Sequence, residues 1–198
     1  MKNKEYKLIE LNEWQRTGEG ASASSYVNKE DDNYMLKLFN KNIRLEIIEK
    51  EYEMAKTVID LGITTPLVYE IVKLDDRYGI TYQNIKNKKS ITRWLEINLD
   101  KYIKIFANET RKLHEKKANI EKLRSQKKLL ENTVNNIEGL TKKQKEKLLD
   151  VINNTEETNT CIHGDLSTGN LIVANDKPYW IDLADFAYGN PLFDNITY

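Results

Sequence analysis

Short runs of apolar residues, most of them alternating with polar ones, dominate the first part of the chain. Such alternation is typical of strands, and it predicts them at residues 8–11, 25–27, 34–39, 68–74 and 78–82. Between residues 43 and 61 the apolar positions instead recur at a helical spacing, and Gly62 and Pro66 follow. This spacing and these two helix-ending residues predict one helix between the third and fourth strands.

The second half of the chain has a helical pattern that later returns to short strands. Residues 90–155 keep apolar positions at helical spacing, with Asp100 as the predicted cap of one helix and Thr141 with Gln144 as a capping box at the start of another. Residues 171–173 and 179–181 predict two strands joined by a turn. The pattern predicts an α+β protein with an N-terminal lobe over residues 1–85, built from a small antiparallel sheet and one helix. A mostly helical C-terminal lobe is predicted over residues 86–198.

Composition excludes several classes of protein. The 198 residues carry 31 basic and 31 acidic side chains and a single cysteine, Cys161. One cysteine cannot close an intramolecular disulfide, and no spacing of Cys and His indicates a zinc site. The chain has no apolar run of about 18 residues and no apolar signal-peptide segment at its start. We therefore expect a cytoplasmic protein that does not bind membranes.

The charges are distributed unevenly along the chain. Basic residues outnumber acidic ones over residues 111–147, but they alternate with helical apolar positions and lack interleaved aromatic residues. This pattern indicates a solvated helix face rather than a nucleic-acid site. From residue 155 onward acidic residues outnumber basic ones and cluster around Gly and His. Such a cluster favours a divalent metal or a cationic substrate.

The strongest chemical signal lies between residues 163 and 185. His163, Gly164 and Asp165 are followed by Asn170, and Asp182 comes after the predicted hairpin. Mg²⁺ takes a few carboxylate or amide oxygens together with phosphate oxygens, which suits Asn170 and Asp182. Asp165 then remains free to accept the proton of an attacking hydroxyl. Each residue alone is an ordinary loop residue, but together they predict magnesium-assisted phosphoryl transfer.

These residues resemble the protein-kinase-like superfamily, and more closely its branch of aminoglycoside phosphotransferases, choline kinases and related small-molecule kinases. The resemblance covers about residues 8–194 and is most specific from His163 to Asp194. It implies a bilobal protein-kinase-like fold and ATP as the phosphate donor. It also implies that Asp165 is the catalytic base and that Asn170 and Asp182 bind Mg²⁺.

The resemblance extends to phosphate binding in the N-terminal half. Gly18, Gly20 and Ser22 lie in a predicted loop over residues 17–24. Glycines there allow backbone N–H groups to approach phosphates, and the serine adds a hydroxyl donor. Lys37, in an apolar strand, is implied to bind the α- and β-phosphate oxygens of the nucleotide.

One carboxylate of the predicted helix is expected to pair with this lysine. Glu51 lies at the centre of the apolar stripe, whereas Glu53 projects elsewhere. A carboxylate on a buried face needs a partner, and the family's Lys–Glu pair supplies one, so we predict Glu51 with Lys37. The resemblance further makes Gln83 and Ile85 hinge residues whose backbone groups hydrogen-bond adenine.

Two departures from protein kinases favour a small-molecule acceptor. Gly164 and Ser167 stand where the protein-kinase catalytic loop carries Arg and Lys, and only eight residues separate Asp182 from Pro191. The second interval is too short for a long regulatory segment. The expected acceptor is therefore a small molecule with a hydroxyl group, and the nearby acidic residues favour a cationic one.

The C-terminus leaves two expectations open. Family members usually continue past the position of Asp194 with helices that cover the acceptor pocket, and this chain ends at Tyr198. Either the chain is a truncated form, or its acceptor binds mostly to the helices between residues 90 and 155.

Two alternative functions stay open beside the small-molecule kinase. One is a kinase-like protein that binds nucleotide without turnover, and the other is a protein kinase.

Overall fold

The alternating runs of the first part of the chain form one sheet, and the α-helices of the described residues lie within the runs of helical spacing. The computed structural model describes residues 5–195. Its elements, in chain order, are β1 (Lys7–Leu8), β2 (Trp14–Glu19), β3 (Ala23–Asn28), β4 (Tyr34–Phe39), α1 (Leu45–Asp60), β5 (Val68–Leu74), β6 (Arg77–Gln83), β7 (Lys89–Ser90), α2 (Ile91–Leu95), α3 (Leu99–Glu115), α4 (Gln126–Asn136), α5 (Lys142–Asn154), β8 (Cys161–Ile162), β9 (Leu171–Ala174), β10 (Lys177–Trp180) and β11 (Ala187–Tyr188).

The chain divides into two units. The first contains the residues up to Lys89 together with Ile172–Ala184, and the second contains Ser90–Leu171 together with the residues from Asp185 onward. The β9–β10 hairpin therefore belongs largely with the N-terminal residues, although it lies far from them in sequence. The division into lobes over residues 1–85 and 86–198 stays a prediction.

The first unit is built on a six-stranded sheet in the order β1-β5-β6-β4-β3-β2. Neighbouring strands are antiparallel except for β1, which runs parallel to β5. Successive side chains of a strand point to opposite faces. On β4, Leu36 and Leu38 are therefore fully buried on one face. Phe39 packs on the other face with Ile48 of α1.

Helix α1 follows the predicted apolar stripe. Ile48, Ala55 and Val58 are buried along it, and Gly62 adopts a positive φ of 70° just beyond its end. Such a conformation favours glycine and ends a helix by satisfying its last carbonyl groups. Ile47, which the stripe includes, is 45% exposed and lies at the edge of the buried face.

The second unit is mostly helical. The predicted capping box of Thr141 and Gln144 is confirmed at the start of α5. The predicted cap Asp100 is wrong, because the side chain of Asn98 accepts the hydrogen bond from the Lys101 N–H and starts α3. Two short antiparallel strands, β8 and β11, complete the unit.

Two predictions near the N-terminus are also wrong. The predicted strand over residues 8–11 is only the two-residue β1, followed by a 3₁₀ turn at Leu11–Glu13. The predicted loop over residues 17–24 is a tight hairpin, since β2 continues to Glu19 and β3 begins at Ala23. Cross-strand pairing of Gly18 with Ser25, after a register shift, extends both strands into the glycine-containing segment. No helix within residues 5–195 is both long enough and apolar enough to span a membrane.

Candidate functional site

Lys37 lies on the face of β4 that points towards α1, as the strand alternation requires. Its Nζ is 2.7 Å from Oε1 of Glu51, and these side chains are 25% and 10% exposed. Glu53 is 65% exposed and pairs with Lys56 on the surface of the helix. The predicted Lys37–Glu51 pair is therefore confirmed, and Glu53 is not the partner.

Tyr82 is a third member of this charged group that the sequence pattern did not identify. Its hydroxyl donates a hydrogen bond to the same Oε1 of Glu51, with an O–O distance of 3.2 Å. The pKa of Tyr82 is raised well above its ordinary value, mainly because the side chain is buried and secondly because Glu51 is negatively charged. Ile80 packs in the cluster beside α1. Because alternate residues of a strand share a face, the sequence could have placed Tyr82 on that same face of β6.

Asp182 brings a second carboxylate to the lysine. Its Oδ1 lies 3.7 Å from Nζ of Lys37, and its side chain is 55% exposed. The backbone of Asp182 is left-handed, with φ of 58°. For a residue other than glycine this conformation costs about 1–2 kcal/mol. Strain of this kind often occurs at functional sites, where the surrounding structure holds it in place.

These charged side chains line a cavity of about 260 Å³ within the first unit. Apolar side chains form much of the wall, and Gln83 and Lys88 add polar groups. The lining residues are Met35, Lys37, Glu51, Ala55, Thr65, Pro66, Tyr82, Gln83, Lys88, Ile172, Ile181, Asp182 and Leu183. A concave, mostly apolar pocket with a few convergent charged groups is typical of small-molecule sites.

The two predicted hinge residues differ in what their backbone offers. The N–H of Gln83 donates to the carbonyl oxygen of Leu67, with an N–O distance of 2.7 Å. The N–H of Ile85 has no hydrogen-bond partner within residues 5–195. The Ile85 side chain packs with Ile172 and Ala174. Ile85 thus keeps a free donor at the end of the strand that borders the cavity.

Gly18, Gly20 and Ser22 lie in the β2–β3 hairpin. The N–H of Gly20 donates to the carbonyl oxygen of Ala23 at 2.8 Å, and the carbonyl oxygen of Ser22 accepts from the N–H of Asn40 at 2.8 Å. The lining of the cavity, as far as residues 5–195 define it, includes none of the three. The tip of the hairpin is therefore held by one backbone hydrogen bond of its own and one from Asn40, and a phosphate contact there stays a prediction.

Asp165 and Asn170 lie together in the second unit. Nδ2 of Asn170 donates to the backbone oxygen of Asp165 at 2.8 Å and to its Oδ2 at 2.9 Å. The Asp165 N–H in turn donates to Nδ1 of His163 at 3.3 Å. Because the amide nitrogen of Asn170 is used to fix Asp165, its amide oxygen is the atom left for a cation.

Asp194, buried in the same unit, holds the loop that carries Asp165. Its carboxylate accepts from the N–H groups of His163 and Gly164 at 2.8 and 2.7 Å, and it also contacts Nε2 of His114 at 2.8 Å. Hydrogen bonding to the loop is therefore the structural role of Asp194. His114 is an additional member of this network that the sequence pattern did not identify.

Gly164 cannot be replaced by a larger residue without moving the loop. Its φ is +83°, and a Cβ atom there would lie 2.0 Å from the backbone oxygen of Asp185. The close approach of two backbone segments explains why glycine occupies this position.

Asp182, in the first unit, and Asn170, in the second, each offer oxygen atoms of the kind that Mg²⁺ prefers. Within residues 5–195 no three or more His, Cys, Asp or Glu side chains group into a metal site. Asp182 offers a half-exposed carboxylate, and Asn170 offers an amide oxygen. Mg²⁺ is usually bound through one or two such oxygens, with substrate phosphates and water completing its shell.

Comparison with known proteins identifies a family. The sequence matches the family model described as "Phosphotransferase enzyme family" over residues 13–197. A search of curated proteins finds no match.

Solved structures of aminoglycoside phosphotransferases share the fold. A thermostable mutant of APH(4)-Ia matches with a TM-score of 0.66 at 12% identity, covering 91% of this chain and 70% of that chain. APH(3″)-Id from Streptomyces rimosus matches with a TM-score of 0.60 at 17% identity, covering 92% of this chain and 74% of that chain. The streptomycin–ATP–APH(2″)-IIa ternary complex matches with a TM-score of 0.59 at 19% identity, covering 92% of this chain and 70% of that chain. At these identities the likeness concerns the fold alone, and it confirms the predicted α+β, kinase-like fold.

Proposed function

This chain belongs to the phosphotransferase enzyme family, and on that premise we propose that it transfers the γ-phosphate of ATP to a hydroxyl group of a small molecule. The observation that carries the proposal is the group of Lys37, Glu51 and Asp182 in one cavity. A lysine held between two carboxylates and aimed into an apolar-walled pocket suits a ligand with an aromatic part and a polyphosphate.

In this function Lys37 binds phosphate oxygens of the nucleotide. Glu51 keeps the lysine in place, since a hydrogen-bonded carboxylate restricts the side chain to one orientation. The apolar side chains of Met35, Ala55 and Ile172 face the base. Solved relatives support this assignment, because one contains ADP with hygromycin B and another contains ATP with streptomycin.

Asp165 acts as the base in the proposed reaction. Its carboxylate is held by Asn170, and the loop itself is held by Asp194. A fixed carboxylate of this kind accepts the proton of the acceptor hydroxyl as that oxygen attacks phosphorus. Asn170 and Asp182 are the proposed Mg²⁺ ligands. The metal, when bound, neutralises charge that develops on the phosphate oxygens.

The proposed acceptors are aminoglycoside-like molecules, amino alcohols and sugars. The acidic residues near Asp165 favour cationic members of this set, and the APH(2″)-IIa complexes with streptomycin and gentamicin support it. We propose the same chemistry for any acceptor, because Asp165 needs only a hydroxyl to deprotonate.

The test is acceptor-dependent release of ADP. Purified protein is incubated with ATP and Mg²⁺, with and without a panel of aminoglycosides, amino alcohols and sugars, and ADP is measured together with the phosphorylated product. We expect at least one acceptor to raise ADP release in the wild type and to have no effect in Asp165→Asn. ADP release that depends on neither the acceptor nor Asp165 would contradict the proposal. Nucleotide binding without any turnover would favour a kinase-like binding protein.

A further inference from the structure

Lys88 contributes a second ammonium group to the cavity that holds Lys37. Its Nζ lies 3.1 Å from Oδ1 of Asn84 and 3.7 Å from Sδ of Met35, and the residue lines the cavity. The residue is exposed overall, although it contributes to the wall of the cavity. Nothing in the proposed reaction uses this group.

Lys88 differs from its neighbours in having no carboxylate partner. Lys86, two residues earlier, is 2.6 Å from Oδ1 of Asp32, and Lys37 is 2.7 Å from Oε1 of Glu51. Within the part of the chain that the structure describes, Lys88 forms no ion pair with a carboxylate. Loss of surrounding water lowers the pKa of its ammonium group. A ligand that accepts hydrogen bonds would offset this loss.

The position of Met35 shows which part of the cavity Lys88 faces. Met35 and Lys37 point to the same face of β4, two residues apart, which separates their backbones by about 7 Å. Lys37 lies beside Asp182, whereas Lys88 contacts Met35. The two ammonium groups therefore serve different stretches of the pocket. A phosphate chain at Lys37 leaves the nucleoside beside Met35 and Lys88.

We propose that Lys88 binds the nucleoside part of the nucleotide by donating hydrogen bonds to acceptor atoms of the base or ribose. This inference rests on the proposed function. An ammonium group has three donors. One is used by Oδ1 of Asn84 and a second by the weak acceptor Sδ of Met35. Asn84 is in turn fixed by its N–H to the carbonyl of Asn33 and by its Nδ2 to the carbonyl of Asp32. Lys88 is thus positioned with one donor free for a ligand and a second that a ligand can take from the sulfur.

Competitive displacement of a fluorescent ATP analogue, in the presence of Mg²⁺, tests the proposal. ATP, ADP and adenosine are used as competitors against the wild type, Lys88→Met, Lys88→Arg and the matched control Lys86→Met. One hydrogen bond from a charged donor corresponds to an affinity loss of roughly 10- to 150-fold. We expect Lys88→Met to weaken all three competitors by a similar factor in this range. Lys88→Arg and Lys86→Met should stay within about 2-fold of the wild type.

The three competitors distinguish the possible failures. A loss that appears with ATP and ADP but not with adenosine means that Lys88 contacts phosphate, which overturns the assignment to the nucleoside. If Lys88→Met and Lys86→Met behave alike, Lys88 is not a ligand contact. If the wild type fails to bind the analogue at millimolar concentration, nucleotide binding itself fails, and the proposed function fails with it. Matching circular-dichroism spectra establish that all variants are folded.

Discussion

Replacing Glu51 by glutamine removes one charge from the candidate site while keeping the size of the side chain. In the wild type, Oε1 of Glu51 accepts from Nζ of Lys37 at 2.7 Å and from the hydroxyl of Tyr82 at 3.2 Å. The glutamine amide oxygen has two lone pairs and can still accept from both donors. The ammonium of Lys37 loses its nearest negative charge.

The expected loss of stability follows from the burial of the pair. Removing one partner of a fully buried ion pair costs about 3–5 kcal/mol, because the other charge is left unpaired. Lys37 is 25% exposed, and Asp182 remains 3.7 Å away, so the lysine is not left entirely without compensation. We therefore expect Glu51→Gln to lower the free energy of unfolding by about 1–3 kcal/mol.

Glu53→Gln is the matched control on the same helix. Glu53 is 65% exposed and lies 3.3 Å from Nζ of Lys56, and such surface pairs contribute less than about 0.5 kcal/mol. Urea unfolding at pH 7, followed by tryptophan fluorescence, gives the free energy of unfolding of each variant. Equal effects of the two substitutions, or a larger effect at Glu53, would refute the assignment of Glu51 to the buried face.

Three further outcomes are expected. Gly164→Ala should unfold the protein or lower its stability by more than about 2 kcal/mol, because the new Cβ would meet the backbone of Asp185. Gly139→Ala, at a similar φ of +87° with nothing within 4 Å, should cost only about 1 kcal/mol, and equal losses in urea unfolding would contradict the steric argument. Asp165→Asn should abolish transfer but leave the affinity for ATP within about 3-fold of the wild type, as measured by calorimetry; retained turnover would exclude Asp165 as the base. Burial raises the pKa of the Cys161 thiol to about 11, so iodoacetamide at pH 8 should label it slowly in the folded protein and rapidly in urea, as followed by mass spectrometry. Equally fast labelling in both states would show that the thiol is accessible.

Local periodicity was enough to predict much of the first unit. The bounds of β4 and β5 and the position of α1 follow from apolar residues that recur at the strand and helix spacings. Periodicity also places Glu51 on the buried face of α1, and the resemblance to kinase-like proteins then implied Lys37 as its partner, which the structure confirms. The Thr141 capping box was predictable for a similar reason, since all its contacts lie within four residues.

Competing local choices were harder to predict. Asn98 and Asp100 both favour the cap position, and the chain begins the helix at the earlier residue. The segment around Gly18 has the composition of a loop, but cross-strand pairing extends both strands into it. In each case the residue types suit two local conformations, and the sequence pattern does not choose between them.

Long-range contacts were settled only by the tertiary structure. The carboxylate of Asp194 reaches backbone groups 30 and 31 residues away. Residues Ile172–Ala184 fall in the same unit as the N-terminal sheet, and Lys88 lies 53 residues from the methionine that it contacts. The sequence supplies the residue types for these contacts, and periodicity assigns a face only to the residues that lie in strands and helices. The packing of whole elements decides which faces meet, because that choice depends on burying all the apolar surfaces together.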